Sequence, residues 1–234
     1  MFFCFMMIKK MNFIVISVVL PGKKSRWLTK DEQDKFIKQA LFKYTNGKER
    51  YRYGRIYIFM MYTGLRCSEM LGLTWEHIDM KNKTVTVEQS LVTVKSREDS
   101  DTKFITKLQG STKTISGKRI VPLSNRAIEA IAEYKERYYT GNPRDFVVLS
   151  NQGNPLKARH FQRSANYIYK AAGINASGVH ILRHTFASML FDRKIDIKII
   201  SKLLGHSDVS TTYNIYIHLT ETQTKEAIDS LNEL

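Results

Sequence analysis

Residues 63–69 read TGLRCSE and join two stretches of different character. The preceding residues 53–62 are strongly apolar, which predicts a buried helix. Gly64 can end this helix, because glycine readily adopts the left-handed conformation that follows many helices. The next stretch, CSEMLGL, predicts a second helix that begins directly after Arg66. Arg66 is therefore expected at a tight and rigid corner between two helices.

The phrase HILRHT (180–185) predicts another helix with polar chemistry on one side. Its residues His180, Arg183 and His184 are spaced by three and four positions. Residues at these spacings are neighbours on a helix surface, so we expect the three side chains to share one face.

The phrase LLGHS (203–207) continues an apolar pattern that includes residues 197 and 200. This spacing predicts an amphipathic helix with its apolar side turned inward. Gly205 is expected to end the helix, so that His206 follows directly after its last turn. The phrase TTYNIYIH (211–218) comes next and carries two tyrosines three positions apart.

The other elements follow from local signals. Thr29 and Glu32 form a T-x-x-E capping box that opens a helix. The chain predicts further helices from residue 125 and over residues 159–171. β-branched and apolar runs predict strands at residues 84–87, 91–94, 118–123 and 146–149. Residues 95–110 are polar and indicate a long hairpin connection or bulging loop. The expected fold is α+β, mainly helical with a small antiparallel β-sheet.

Composition indicates a packed domain with a basic surface that would bind a polyanion. The 234 residues are 43% hydrophobic, which is ample for a core. The chain has 37 Lys and Arg against 22 Asp and Glu, a formal charge of +15. Nucleic acid, an acidic membrane or an acidic protein could each match this charge. Cys4 and Cys67 are far apart, which argues against a disulfide framework or a CxxC site and fits a reducing cytoplasm.

Residues 1–25 read as an apolar leader followed by a basic linker. MNFIVISVVL (11–20) follows two lysines and imitates a signal peptide. The run is about half of the roughly 20 residues that a spanning helix needs, and no small-residue cleavage site follows it. We therefore expect a strand or a non-native leader and no membrane partner. A domain boundary is expected near residue 25, with one domain over residues 26–234.

The polar phrases together describe chemistry on a phosphodiester. Attack by an oxygen nucleophile increases the charge on the phosphate oxygens, and planar guanidiniums bind those oxygens in pairs, a role that suits Arg66 and Arg183. Tyr216 can attack and form a phosphotyrosyl bond. A lysine in the phrase STKTISGKRIVPL (111–123), with Lys113 as the candidate, can donate a proton to the leaving oxygen.

Histidine and carboxylate side chains would support this reaction. His180 can take or return the proton of the phenol, and His206 can hydrogen-bond the phosphate. Glu69, one turn after Arg66, can orient a guanidinium. The phosphotyrosyl bond keeps the energy of the broken bond, so rejoining needs no ATP. We expect no cofactor and no metal, since the sequence has no P-loop and no clustered carboxylate set.

The quoted phrases resemble those of the tyrosine recombinase (phage integrase) family, particularly integrases of phages and conjugative transposons of low-GC bacteria. The resemblance runs from about Trp27 to the C-terminus. It implies a mainly helical catalytic domain with a small antiparallel sheet that carries the lysine hairpin. It also implies double-stranded DNA as partner, and strand exchange between specific sites by a homo-tetramer through a Holliday junction.

The family motifs fall on individual residues of this chain. The resemblance assigns the following residues to the catalytic set: Arg66, Lys113, His180, Arg183, His206 and Tyr216. Three neighbouring lysines, Lys103, Lys107 and Lys118, remain rivals of Lys113, although STKT before KRIVPL favours Lys113. Tyr213 remains the rival of Tyr216, which alone precedes x-His and has the family's spacing from Gly205.

Other features stay open at this stage. DNA-backbone contacts are expected from six basic residues, although such charges more often mark a solvated face: Lys23, Lys24, Arg26, Lys157, Arg159 and Arg163. The family's core-binding domain is expected to be absent or truncated, because only about 25 residues precede Trp27. The alternative to an active recombinase is a non-catalytic DNA-binding remnant or a regulator of an intact integrase. An accessory DNA-bending or directionality factor is a further expected partner.

Overall fold

The computed structural model describes residues 26–95, 104–110, 118–206, 208–210 and 212. Its helices are α1 Lys30–Ala40, α2 Gly54–Thr63, α3 Cys67–Gly72, α4 Asn125–Tyr138, α5 Ala158–Ala171, α6 His180–Phe191 and α7 Ile197–Leu204. Its strands are β1 Ile78–Asp79, β2 Thr84–Val87, β3 Gln89–Lys95, β4 Phe104–Gly110 and β5 Arg119–Pro122. The predicted α+β class, with more residues in helices than in strands, is thus confirmed.

Helix α2 forms the centre of the core. It packs against α1, α4, α5 and α6. Nine of its ten residues are buried, as its apolar sequence predicted. The hydroxyl of Tyr57 donates to the carbonyl of Phe161 at 2.7 Å, which satisfies a polar group inside the core. The rings of Phe36 and Tyr169 join α1 to α5 with centroids 4.9 Å apart.

Glycines at both ends of α2 allow close approaches to other segments. A Cβ on Gly54 would lie 2.0 Å from the carbonyl oxygen of Ala40, at the end of α1. Gly64 has φ of 67°, and a Cβ there would lie 2.5 Å from Cδ1 of Phe186 on α6. The predicted helix end at Gly64 is confirmed, and it brings the corner at Arg66 against α6 and α7.

The strands form two small antiparallel sheets instead of the single predicted sheet. One has the order β1-β2-β5, and the other is the pair β3-β4. Residues 104–110 form strand β4 within the stretch that was expected to be a loop, so that expectation was wrong in part. Residues 107–110 are exposed, and even Leu108 is 47% exposed, so this half of the strand carries little apolar signal.

The prediction of a short strand at residues 146–149 was also wrong. Among the residues that the structure describes, this segment makes two isolated bridges, Thr74 with Phe146 and Leu149 with Pro155. Val147 and Val148 are buried, which explains the apolar signal. Thr74 directly precedes a short 3-10 helix and Pro155 follows a turn, so neither bridge extends into a ladder.

Several local predictions are confirmed. The capping box of Thr29 and Glu32 opens α1, with both reciprocal bonds present. α7 ends at Gly205, which has φ of 68°. No helix within the described ranges is both long and apolar enough to span a bilayer.

Candidate active site

Three consecutive carbonyl groups at the end of α7 each accept a hydrogen bond from a different arginine. Nε of Arg119 donates to Leu203 at 2.9 Å, Nη2 of Arg183 to Leu204 at 2.7 Å, and Nη2 of Arg66 to Gly205 at 2.9 Å. The last carbonyls of a helix lack intrahelical partners and form the negative end of its dipole. They therefore attract cations, and here they collect guanidiniums from three distant segments.

Arg66 lies at the predicted corner as the residue before α3. Its backbone N–H donates to Oε2 of Glu69 at 2.8 Å, and its Nη1 donates to Oε1 of the same carboxylate at 2.8 Å. Its side chain is 34% exposed. The corner thus fixes both ends of the residue, while the side chain as a whole stays partly exposed.

Glu69 is buried but remains ionised. Nη1 and Nη2 of Arg119 donate to its two oxygens at 2.9 and 2.8 Å. Burial alone would raise the pKa of this carboxyl, but the bonds and charges of Arg119 and Arg66 outweigh it and lower the pKa to about 2. The carboxylate consequently holds two guanidiniums at neutral pH.

Arg183 joins the ends of two helices from the first turn of α6. Its Nη1 donates to the carbonyl of Gly64 and its Nη2 to that of Leu204, both at 2.7 Å. The residue is only 4% exposed. A guanidinium has five N–H donors in a fixed fork, so this one side chain can bond to the ends of two helices at once.

His180 and His184 lie on one face of α6, as their spacing predicted. Their ring centroids are 5.7 Å apart in an edge-to-face arrangement. His180 is exposed as a whole residue, but partial burial of its ring, followed by the charges of Arg183 and Arg66, lowers its pKa. Burial, followed by His180 and Arg183, lowers the pKa of His184 to about 4. Both imidazoles are therefore neutral at pH 7 and able to accept a proton.

His206 follows Gly205 and is held by Thr212. Its Nδ1 lies 2.7 Å from the Thr212 hydroxyl, and Thr212 is fully buried. Burial, followed by the charges of Arg183 and Arg66, lowers the pKa of His206 to about 4. A neutral imidazole with Nδ1 engaged by Thr212 presents Nε2 as its other hydrogen-bonding group.

Two members of the expected catalytic set lie outside the described residues. These are Lys113 and Tyr216, together with the rivals Lys103 and Tyr213. Of the other rival lysines, Lys107 is exposed on β4. Nζ of Lys118 lies 2.7 Å from Oε2 of Glu88, which gives that lysine an ion-pair partner.

The expected DNA-contact residues divide in the same way. Lys23 and Lys24 lie outside the described residues, and Arg26 forms an ion pair with Glu32. Three are exposed in the first half of α5 or just before it: Lys157, Arg159 and Arg163. Nε of Arg163 also donates to the hydroxyl of Tyr167 at 3.1 Å.

Sequence reasoning missed Arg119 and Thr212. Strand β5 alternates buried and exposed positions, so Arg119 shares the inward face with Val121. Period-two alternation through KRIVPL could have placed Arg119 inward, since Val121 and Leu123 are apolar. No comparable signal marks Thr212, because its contact with His206 depends on how the chain turns after α7.

The domain is mainly helical with small antiparallel sheets, and guanidiniums and neutral imidazoles meet at the end of α7. These features are those of a tyrosine recombinase catalytic domain. Residues 26–223 match the phage integrase family, and the chain belongs to that family.

Curated relatives of this chain include recombinases and integrases. A tyrosine recombinase XerC-like protein of Caldanaerobacter subterraneus subsp. tengcongensis is 29% identical over 93% of this chain and 58% of its own length. The ICEBs1 integrase of Bacillus subtilis is 28% identical over 92% of this chain and 56% of its own. The chain therefore spans little more than half the length of these relatives.

Solved structures share the fold. The Tn1549 transposon integrase (residues 82–397 of that protein), in complex with circular intermediate DNA, has a TM-score of 0.71 at 20% identity, covering 90% of this chain and 68% of that one. XerA recombinase has a TM-score of 0.65 at 23% identity, covering 88% of this chain and 65% of that one.

Proposed function

We propose that this chain is the catalytic part of a site-specific DNA recombinase that cuts and rejoins DNA through a 3′-phosphotyrosyl bond to Tyr216. The observation that carries the proposal is the placement of Arg183 and Arg66 on the adjacent carbonyls of Leu204 and Gly205. This arrangement holds two guanidiniums beside His206, which is what a phosphodiester under attack requires. The solved structures that share the fold include a lambda integrase dimer bound to a core site, which supports DNA as the substrate.

The phosphate would bind where the two guanidiniums meet. Arg66 has a partly exposed side chain, while Arg183 supplies positive charge from a buried position. Charge is stronger in a poorly solvated site than in water, so a buried cation stabilises the developing oxyanion effectively. Nε2 of His206 can add a hydrogen bond to the same phosphate.

The nucleophile would arrive from the segment after Thr212. Tyr216 is four residues beyond Thr212, whose bond to His206 fixes the chain near the site. Ionising a free tyrosine of pKa about 10 at pH 7 costs roughly 4 kcal/mol. The charges of Arg66 and Arg183 reduce this cost, and neutral His180 can accept the proton of the phenol.

The remaining steps complete the cycle. Lys113 would protonate the leaving 5′ oxygen, and reversal of the same attack by another 5′ hydroxyl would rejoin the strand. Glu69 would keep Arg66 in place. Exposed Lys157, Arg159 and Arg163 would bind DNA phosphates, with a homo-tetramer and an accessory factor completing the assembly.

Trapping the covalent intermediate tests the proposal. The probe is a library of nicked suicide duplexes with a randomised core, because the nick releases a short fragment and prevents rejoining. Wild-type protein and Tyr213→Phe should form an adduct that survives denaturation, and Tyr216→Phe should not. An adduct on Tyr213 would reject the assignment of the nucleophile, and salt-sensitive binding without any adduct would reject catalysis.

A further inference from the structure

We infer that Arg119 is a positioning residue that holds Arg66 and His206 in one geometry through two separate contacts. The inference rests on the proposed function and concerns a residue to which the catalytic motifs give no role. Arg119 is 9% exposed and directs its bonds to Glu69 and Leu203. A buried side chain held in this way would act on the reaction through its neighbours.

The first contact acts on Arg66 through Glu69. Oε1 of Glu69 accepts from Nη1 of Arg66 and from Nη1 of Arg119. Oε2 accepts from the backbone N–H of Arg66 and from Nη2 of Arg119. Each carboxylate oxygen is therefore shared between the two arginines. Because Arg119 binds both oxygens, it fixes the plane of the carboxylate that orients Arg66.

The second contact acts on the end of α7. Nε of Arg119 donates to the carbonyl of Leu203 at 2.9 Å. A Cβ on Gly205 would lie 2.8 Å from Nη1 of Arg119, so the guanidinium lies directly against the residue before His206. A single planar group thus sets the distance between α3, which carries Glu69, and the turn that carries His206.

Only arginine can make both contacts at once. The planar fork supplies two parallel donors to Glu69 and a third donor, Nε, in a fixed direction toward Leu203. The ammonium of lysine keeps the charge but has no such geometry. Arg119→Lys therefore separates the positioning role from the charge.

The first test measures the single-turnover cleavage of the suicide duplexes by Arg119→Lys. We expect the rate constant of adduct formation to fall roughly 100-fold, the order of loss that a 1 Å misplacement causes. DNA affinity should stay within about twofold, because a buried residue makes no contact with DNA. A purely stabilising residue would instead lower the amplitude, which reports the folded fraction, and leave the rate constant unchanged.

Arg55→Lys is the matched control. Arg55 is 5% exposed and pairs with Glu49 and Glu133, but it lies at the opposite end of α2 from the corner at Arg66. This variant should lose stability while keeping the wild-type rate constant of cleavage. A slow Arg55→Lys would mean that any lost buried ion pair slows the reaction, and it would overturn the inference.

A double-mutant cycle with Glu69→Gln identifies the route. If Arg119 acts through Glu69, the double variant should be little slower than the slower single variant. Independent, multiplying effects would reject that route. If Arg119→Lys does not fold, Glu69→Gln still supplies a refuting outcome, because a wild-type rate constant for this variant would exclude any route through Glu69. Wild-type protein that forms no adduct would refute the proposed function itself, whereas an active wild type with a full-rate Arg119→Lys would refute only the inference.

Discussion

Nδ1 of His206 lies 2.7 Å from the hydroxyl of Thr212, and this contact closes the turn that follows α7. Thr212 is fully buried, so the hydroxyl is held in one place. The contact fixes the ring of His206, and it also fixes the backbone shortly before Tyr216. One hydrogen bond therefore relates the imidazole that we propose to bind the phosphate to the segment that carries the proposed nucleophile.

Thr212→Val should slow adduct formation more than it destabilises the domain. The change keeps the shape of the side chain but removes the partner of Nδ1. Loss of one buried hydrogen bond costs about 1 kcal/mol in stability. We expect the rate of adduct formation to fall about tenfold, since a general acid or hydrogen-bonding group in this role contributes at least that much. Urea unfolding and single-turnover cleavage measure the two effects.

Thr74→Val provides the control for that experiment. The hydroxyl of Thr74 lies 2.6 Å from Nδ1 of His77, so it forms the same kind of pair away from α7. Thr74 is also buried. Its loss should destabilise the protein to a similar degree and leave cleavage unchanged. Equal slowing by both variants would contradict a specific role for Thr212.

Arg183→Lys should fold and yet lose most cleavage. A lysine can keep a positive charge near Gly64 and Leu204 but cannot bond both carbonyls and an anion in the arginine geometry. Removing one preorganised oxyanion donor typically costs about 100- to 1,000-fold in rate, and we expect a loss of that order. Circular dichroism would verify folding. A rate close to wild type would argue against the two-guanidinium site.

The sequence predicted those parts of the site that depend on local signals. The corner at Arg66 follows from Gly64, and the common face of His180, Arg183 and His184 follows from helical periodicity. Three arginines bind consecutive carbonyls at the end of α7: Arg66, Arg119 and Arg183. This arrangement depends on how α3, β5 and α6 pack against α7, and no local sequence pattern contains that information. The same limit applies to β4, where pairing with β3 overrides a weak strand signal.

Stability should decrease as the pH falls from about 6.5 to about 4. His206 and His184 have pKa values of about 4 in the folded protein, below the ordinary value of 6.5. As the pH falls, the unfolded chain therefore binds these protons at a higher pH than the folded protein does. The free energy of unfolding is highest above pH 6.5 and decreases as the pH falls toward the folded pKa values. Each imidazole contributes a slope of up to about 1.4 kcal/mol per pH unit, less for a partly exposed ring.

Urea unfolding at a series of pH values measures this loss, and His206→Asn should reduce the slope. Glu69 provides an internal comparison, because its pKa falls from 4.5 to about 2 on folding. Its contribution should be lost only between those values, and Glu69→Gln should leave the slope between pH 6.5 and 4.5 intact. A His206→Asn variant with the wild-type slope would contradict the neutral state of that half-buried ring.

DNA binding should depend on the basic face at the start of α5. Lys157, Arg159 and Arg163 are exposed there, and each phosphate contact releases counterions. Replacing the three with glutamine should weaken binding to any duplex and reduce the salt dependence by about 0.9 per lost contact in a plot of log K against log salt. Fluorescence anisotropy over a salt series measures both.

The matched control replaces three exposed lysines of α1, Lys30, Lys35 and Lys38, which changes net charge equally. If both triple variants shift the salt slope by the same amount, the effect is one of total charge, and α5 is not the DNA-binding face.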